Sequence, residues 1–239
     1  MRGMGTVINV AAVVLGGLIG LLFGKKLKAR FQETLIGAIG VCVIFIGIAG
    51  AMEEMLAVRG DVLQSGGTMV LIGSMALGSI IGELLDLEGL LERFGEWLKI
   101  KARSEGDAGF VEGFVTASLT ICIGAMAVVG AIQDSLQGDC SILVAKAVLD
   151  MMIIMIMTAS KGRGCIFSAI PVALLQGSIT VLAFFLEPVF TELALSYLSM
   201  VGSVLIFCVG INLLWKKKLK VANMLPALVI AVIWALIEA

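Results

Sequence analysis

Long apolar segments alternate with short polar segments along the whole chain. Eight apolar stretches are each about 20 residues long, which is the length of helix that crosses a hydrocarbon core about 30 Å thick. We predict membrane spans at residues 6–23, 34–52, 67–85, 110–132, 141–159, 166–186, 195–215 and 221–237. Only helices satisfy their own backbone hydrogen bonds in lipid at this length, so the pattern predicts an all-α, polytopic transmembrane helical bundle.

One segment between the predicted spans has a different pattern. Residues 86–103 place apolar side chains at helical spacing on one face and charged side chains on the other. This is typical of an amphipathic helix in the membrane interface. We interpret it as a connector on the membrane surface, and a cytoplasmic gate or docking face is the alternative. The apolar face is formed by Leu87, Leu90, Leu91, Phe94, Trp97 and Leu98.

The first two predicted spans resemble the next two. The recurring motifs are Leu15-Gly16-x-x-Ile19-Gly20 with Leu77-Gly78-x-x-Ile81-Gly82, and Arg30-Phe31-x-Glu33-x-Leu35 with Arg93-Phe94-x-Glu96-x-Leu98. The sequence therefore predicts a duplicated helix hairpin, at residues 6–57 and 68–136, within one integral membrane domain of residues 1–239.

Composition excludes the soluble class. Hydrophobic residues make up 60% of the chain and the mean hydropathy is +1.11, whereas soluble domains are roughly 45–50% apolar. The first span is not expected to be a cleaved signal peptide, because basic residues follow it at once and no small-residue cleavage site does.

Basic residues are concentrated at the ends of alternate spans. All but three of the 17 Lys and Arg residues fall in four clusters, and cytoplasmic loops carry an excess of such residues. We predict a bacterial inner-membrane protein with both termini outside. The clusters are short and abut apolar spans, so nucleic acid is not an expected partner. They are Lys25, Lys26, Lys28 and Arg30; Arg93, Lys99, Lys101 and Arg103; Lys161 and Arg163; and Lys216, Lys217, Lys218 and Lys220.

Glycines are spaced four residues apart in the first span, at Gly16, Gly20 and Gly24. Small residues at this spacing let helix backbones approach closely in lipid. We interpret the stripe as helix packing, and the alternative is a seam between two copies. A homodimer is accordingly one of the expected assemblies.

The fifth predicted span contains two charged residues, Lys146 and Asp150, four positions apart and so on one helix face. A charge near the bilayer centre costs about 2.5–3.5 kcal/mol on insertion scales, so such residues usually face protein or a wet cavity. One interpretation is that the pair only neutralises itself. The other is that Asp150 alternates between protonated and ionised forms, coupling transport to protons or Na⁺.

Other polar residues interrupt the apolar pattern. Residues 130–139 are either an outer turn whose carboxylates cap the next helix or a re-entrant vestibule. Pro171 predicts a break in the sixth span, where polar residues can bind a solute. Asn9 is a further buried amide, which often serves only in helix packing. The predicted solute- or ion-binding residues are Asp150, Lys146, Gln133, Asp134, Gln176, Ser168 and Asn212.

Enzymatic chemistry is not indicated. The chain has no His, its five Cys stand singly, and it has neither a Gly-x-Ser-x-Gly motif nor a phosphate-binding Walker loop. We therefore expect no metal, no cofactor and no enzymatic activity.

Several motifs resemble a known family. They are Gly124-Ala125-Met126-Ala127-Val128-Val129-Gly130-Ala131-Ile132-Gln133-Asp134, Lys146-Ala147-x-x-Asp150, Phe167-Ser168-Ala169, Gln176-Gly177-x-Ile179-Thr180 and Asn223-x-Leu225-Pro226-Ala227-Leu228. The chain resembles, over nearly its whole length, the uncharacterised bacterial inner-membrane family typified by YqgA and YdfK. The resemblance implies a multi-spanning membrane protein and no particular activity. Met151 and Met152 follow Asp150 where a small residue is expected.

The pattern favours a secondary transporter or permeability protein for a small solute or ion. An ion channel is a close variant. A membrane scaffold or sensor that acts through a cytoplasmic partner is the alternative from another class. The bilayer and a small solute or ion are the expected partners.

Overall fold

The structure is a computed structural model that describes residues 3–24, 28–59, 62–123, 125–186, 191–215 and 219–238. Its helices are α1 (Met4–Gly24), α2 (Ala29–Met55), α3 (Thr68–Leu85), α4 (Leu87–Lys101), α5 (Phe110–Cys122), α6 (Ala125–Leu136), α7 (Ser141–Lys161), α8 (Ala169–Leu186), α9 (Glu192–Trp215) and α10 (Pro226–Glu238). Two 3₁₀ helices, Arg163–Ser168 and Val221–Met224, precede α8 and α10. The predicted all-α, polytopic helical bundle is confirmed.

A short antiparallel hairpin follows α2. Strand β1 (Leu56–Arg59) pairs with β2 (Val62–Ser65), with Leu56 opposite Ser65. The basic residues Lys25, Lys26 and Lys216–Lys218, which the topology prediction uses, lie outside the described residues.

Within the described residues, seven single segments are long and apolar enough to cross a membrane, and they match seven of the predicted spans. The fourth predicted span differs, because α5 and α6 meet at an angle of 61°. Two hydroxyls near the end of α5 bind carbonyls one turn back: Ser118 donates to Phe114 and Thr120 to Thr116, each at 2.7 Å. Such back-bonding bends helices and slightly destabilises them, which is consistent with a break after Cys122.

The predicted break at Pro171 is wrong. Helix α8 runs unbroken from Ala169 to Leu186, so Pro171 lies in its first turn. The first turn has no intrahelical acceptor for its N–H groups, so a proline there removes no hydrogen bond. Among the described residues, the candidate span that is bent by more than 40° is the fourth.

The chain forms two compact units. Unit 1 comprises Met1–Ile39, Gly89–Cys122 and Met126–Leu186, and unit 2 comprises Gly40–Glu88, Ile123–Ala125 and Glu187–Ala239. The single domain and the duplicated hairpins stay predictions. The first helices of the two predicted copies, α1 and α3, lie in different units.

In unit 1, the glycine stripe of α1 packs against the backbone of α7. A Cβ added to Gly20 would overlap the carbonyl oxygen of Met155, and one on Gly24 would lie 2.7 Å from that of Ala159. Residue numbers rise together on both helices, so α1 and α7 are parallel. The stripe is therefore occupied within the chain, and its interpretation as a dimer seam is wrong.

The bent pair α5–α6 connects the two ends of unit 1. Near the start of α5, Gly113 lies against the carbonyl of Lys161, the last residue of α7. Near the end of α6, Asp134 binds Gly5 in the first turn of α1. Since α1 and α7 are parallel, these are opposite ends of the unit. The pair thus reaches from one end of the unit to the other, and if it is one bent span the described residues contain up to eight crossings.

In unit 2, α3 runs antiparallel to α10 in equally close contact. A Cβ on Gly78 would overlap Ala227, and one on Gly82 would overlap the carbonyl of Asn223. The core beside this contact contains Val70, Met200 and Val201, all at most 4% exposed.

Helix α4 coincides with the predicted amphipathic segment. Leu98 is buried, and the ring of Phe94 lies 5.8 Å from that of Phe114. Leu90, Trp97 and Ile100 are exposed. One edge of the helix therefore anchors it to unit 1, and the remaining apolar side chains stay available to a membrane surface.

Candidate functional site

Helix α7 holds a buried ion pair. The ammonium of Lys146 lies 2.6 Å from Asp150 Oδ2, one turn further along the helix, and the side chains are 8% and 5% exposed. Burying two charges costs several kcal/mol per ion, which mutual attraction offsets only with good geometry and further hydrogen bonds. The surrounding helices supply those bonds.

The first of these further hydrogen bonds is to a backbone carbonyl at the break after α5. In an unbroken helix the carbonyl of Ile121 accepts the N–H four residues later, but α5 ends at Cys122. The ammonium of Lys146 donates to this carbonyl at 2.7 Å. A charged group therefore satisfies the backbone that the broken span leaves open.

Asn9 connects this pair to α8. Its amide nitrogen donates to Asp150 Oδ2 at 3.1 Å and to Gln176 Oε1 at 3.2 Å. Asn9 is 0% and Gln176 1% exposed. We call Asn9, Lys146, Asp150 and Gln176 the buried polar cluster; it joins α1, α7 and α8, with the end of α5 bound to it.

A second group of polar contacts lies one turn closer to the start of α1. Asp134, fully buried on α6, accepts the N–H of Gly5 at 2.8 Å through Oδ2. The hydroxyls of Thr6 and Thr180 are 3.2 Å apart, and Ser135 donates to the Thr180 carbonyl at 2.8 Å. Polar groups thus continue from the buried polar cluster along the α1–α8 contact to α6.

Three of the predicted site residues, Lys146, Asp150 and Gln176, meet directly or through Asn9, and Asp134 lies nearby. Gln133 is half-buried, and among the described residues its side chain has no hydrogen-bond partner. Sequence reasoning left Asn9 outside the site, because a lone amide in an apolar span gives no signal of which helix it will meet.

The other two predicted residues have local roles. Ser168 donates to the carbonyl of Cys165 at 2.6 Å, within the 3₁₀ helix before α8. Asn212 belongs to unit 2, where its side chain binds both the N–H and the carbonyl of Leu219. The structure does not bring these two residues to the buried polar cluster.

Asp139 caps the start of α7, as the first of the two interpretations of residues 130–139 predicted. Its carboxylate accepts the N–H of Ser141 at 2.9 Å and the hydroxyl of the same residue, at the start of α7. These bonds favour the ionised form and lower the pKa of Asp139. The carboxylate is exposed and belongs to the polar surface.

A polar joint in unit 2 was not predicted. Asn223 accepts the N–H of Glu88 and donates to Glu83, each at 2.6 Å. Glu88 in turn accepts the N–H of Ala222 at 3.0 Å. Lys220 binds Glu83, which raises the pKa of the lysine. Since the side chains of Asn223 and Glu88 each bind an N–H at the other's helix start, the joint fixes Glu88 and the second 3₁₀ helix to α3 within unit 2.

The described residues include no group of three or more His, Cys, Asp or Glu that could hold a metal ion. All five cysteines are free. The buried polar cluster itself presents amide, ammonium and carboxylate groups, which offer hydrogen bonds and charge.

Residues 4–236 match the family model described as "Protein of unknown function (DUF554)". The uncharacterized membrane protein YdfK of Bacillus subtilis (strain 168) is 29% identical over 226 residues, which are 95% of this chain and 93% of YdfK. The uncharacterized protein YqgA of Escherichia coli (strain K12) is 29% identical over 232 residues, which are 95% of this chain and 94% of YqgA. No solved structure matches the chain. The family resemblance carried by the Gly-Ala-Ile-Gln-Asp run is thereby confirmed: the chain is a membrane protein that belongs to the family of unknown function DUF554.

Proposed function

We propose that the protein is a secondary transporter or permeability protein for a small solute or ion, and that the buried polar cluster is its working site. The observation that carries the proposal is the position of Lys146. Its ammonium donates hydrogen bonds both to Asp150 and to the carbonyl of Ile121, which has no helical N–H partner because the span breaks after Cys122.

The free-energy cost of burying the Lys146–Asp150 pair favours a functional role for it over a purely structural one. Helix packing needs no charge, since glycines already bring α1 against α7, and replacing a buried ion pair by apolar side chains is often neutral or stabilising. Charged residues within spans usually mark solute pathways. Discontinuous helices at membrane depth are a recurring site of solute and ion binding in transporters.

The proposal places the protein in the bacterial inner membrane with both termini outside, and with the bilayer and a small solute or ion as partners. A homodimer is also proposed, although the glycine stripe does not supply its interface. The parallel α1 and α7 support the topology, because predicted spans one and five cross the membrane in the same direction.

The first experiment identifies a ligand and then measures transport. Purified protein is screened by thermal shift against ions and metabolites, because a ligand that binds only the folded state raises Tm. Uptake of each hit is then measured in proteoliposomes. We expect Asp150→Asn to abolish uptake while the protein still inserts into the membrane.

A double variant separates transport from simple neutralisation. If the pair only neutralises itself, either single change lowers stability by about 3–5 kcal/mol, and Lys146→Met with Asp150→Leu restores a stable and active protein. We expect the double variant to be stable and inactive. Wild-type uptake by the double variant contradicts the proposal. Retention of a cytoplasmic partner by Asp150→Asn, without any solute uptake by the wild type, supports a scaffold or sensor instead.

A further inference from the structure

Two fully buried oxygen atoms, one in the buried polar cluster and one beside it, have no hydrogen-bond donor among the described residues. They are Asp134 Oδ1 and Asn9 Oδ1. Both residues are 0% exposed, and buried polar atoms are normally satisfied. Both atoms are acceptors, so the missing partner is a donor or a cation.

The balance of charges favours a cation over a neutral donor as the partner of Asp134 Oδ1. Asp150 is balanced by Lys146, whereas Asp134 forms no ion pair with any residue in the described ranges. Water can donate a hydrogen bond to Asp134 Oδ1, but it cannot neutralise a buried charge. A buried carboxylate needs a counter-charge or a metal ion, and one positive charge completes the balance of these three side chains.

The start of α1 binds one oxygen of the Asp134 side chain. Its Oδ2 accepts the N–H of Gly5, in the first turn of a 21-residue helix. The N-terminus of a helix has a partial charge of about +0.5 and favours anions. This N–H satisfies Oδ2 but supplies no counter-charge, so Oδ1 is left to bind a cation or another donor.

The neighbouring groups suit an alkali cation. The amide oxygen of Asn9 lies one turn along α1 from Gly5, and the paired hydroxyls of Thr6 and Thr180 lie on the same α1–α8 contact. Carboxylate, amide and hydroxyl oxygens are the ligands that hard cations prefer. Because only one carboxylate here lacks an ion pair within the described ranges, a monovalent ion fits better than a divalent one.

We infer that Asp134, with Asn9, Thr6 and Thr180, forms a binding site for a monovalent cation such as Na⁺ between α1, α6 and α8. This deepens the proposed function, on which it rests only in assigning the cation as the coupling ion. Because Asn9 also binds Asp150, an occupied cation site holds the amide that orients the buried polar cluster.

The test measures cation binding without transport. Tm of the purified full-length protein is recorded in NaCl and in N-methyl-D-glucamine chloride at equal ionic strength. An ion present at about 100 times its Kd is expected to raise Tm by roughly 5–10 °C. Asp134→Asn is expected to lose this shift. Asp139→Asn, which removes an exposed carboxylate five residues away, is the matched control and should keep it.

A second variant tests the cation site if Asp134→Asn does not fold. Thr180→Val removes one hydroxyl and should raise the Na⁺ concentration for half the shift about fivefold. The inference is overturned if the wild type shows no Na⁺ shift, or if Asp134→Asn keeps it. It is also overturned if acidification without Na⁺ reproduces the shift in the wild type but not in Asp134→Asn, because a proton then supplies the charge.

The two proposals fail separately. A Na⁺ shift that depends on Asp134, in a protein that transports nothing, leaves the cation site standing without the transporter. Uptake that needs Asp150 but is unaffected by Na⁺, in a protein without the shift, leaves the transporter without the cation site.

Discussion

At the scale of single residues, the partner of each polar group decides its role. Asp150, Asp134 and Asp139 are chemically identical, yet one is paired with Lys146, one binds a helix start while its other oxygen has no partner, and one caps α7 at the surface. Sequence spacing predicted the Lys146–Asp150 pair, because residues four apart on a helix are neighbours.

Asn9 is the residue for which structure changes the prediction most. Asn9→Leu removes the donor to Gln176 Oε1 and one donor to Asp150, leaving a buried acceptor unsatisfied. We expect a loss of about 1–3 kcal/mol in stability, measured as a lower Tm in detergent. Gln133→Leu is the matched amide control, and it should stay within about 0.5 kcal/mol of the wild type. Equal Tm values for the two variants would remove Asn9 from the buried polar cluster.

At the scale of helices, close contact depends on where the glycines face. Gly16, Gly20 and Gly24 face the backbone of α7, whereas a Cβ added to Gly37 of α2 meets nothing within 4 Å. The four-residue spacing predicted a packing stripe, but spacing cannot show whether the opposing helix belongs to the same chain. The contact with α7 settles this for α1.

The surroundings of Gly20 and Gly37 predict opposite effects of a glycine-to-alanine change on stability. Gly20→Ala places its Cβ against the carbonyl of Met155, so we expect a loss of about 1–3 kcal/mol from overpacking. Gly37→Ala gains helix propensity and should be neutral or up to about 1 kcal/mol more stable. Thermal unfolding in detergent compares them. A Gly20→Ala variant as stable as Gly37→Ala would refute the close α1–α7 contact.

At the scale of the whole molecule, the bent pair α5–α6 determines the topology. If it crosses the membrane once, the loops after β1–β2 and after α6 lie on one side and the loop between α4 and α5 on the other. A re-entrant pair instead puts the loop after α6 on the side of the α4–α5 loop.

Cysteine accessibility distinguishes these topologies. In a background without the native cysteines, Ser65→Cys and Gln137→Cys should react with an impermeant maleimide in intact cells, and Ala108→Cys only after permeabilisation. All three positions are exposed. Gly162 is unsuitable because its φ of +93° strains any other residue. Labelling of Ala108→Cys in intact cells would reverse the proposed orientation, and identical behaviour of Ala108→Cys and Gln137→Cys would make the pair re-entrant.

The sequence by itself determined the class of the protein, the positions of its helices and the Lys146–Asp150 pair. These follow from local properties: the length of an apolar run relative to the bilayer, and the spacing of side chains on one helix. Only the tertiary structure decided that the fourth span breaks and the sixth does not, that the glycine stripe faces α7, and that Asn9 meets Asp150. Those outcomes depend on contacts between residues up to 141 positions apart. In a span that is apolar on all sides, the sequence does not show which face packs against which neighbouring helix.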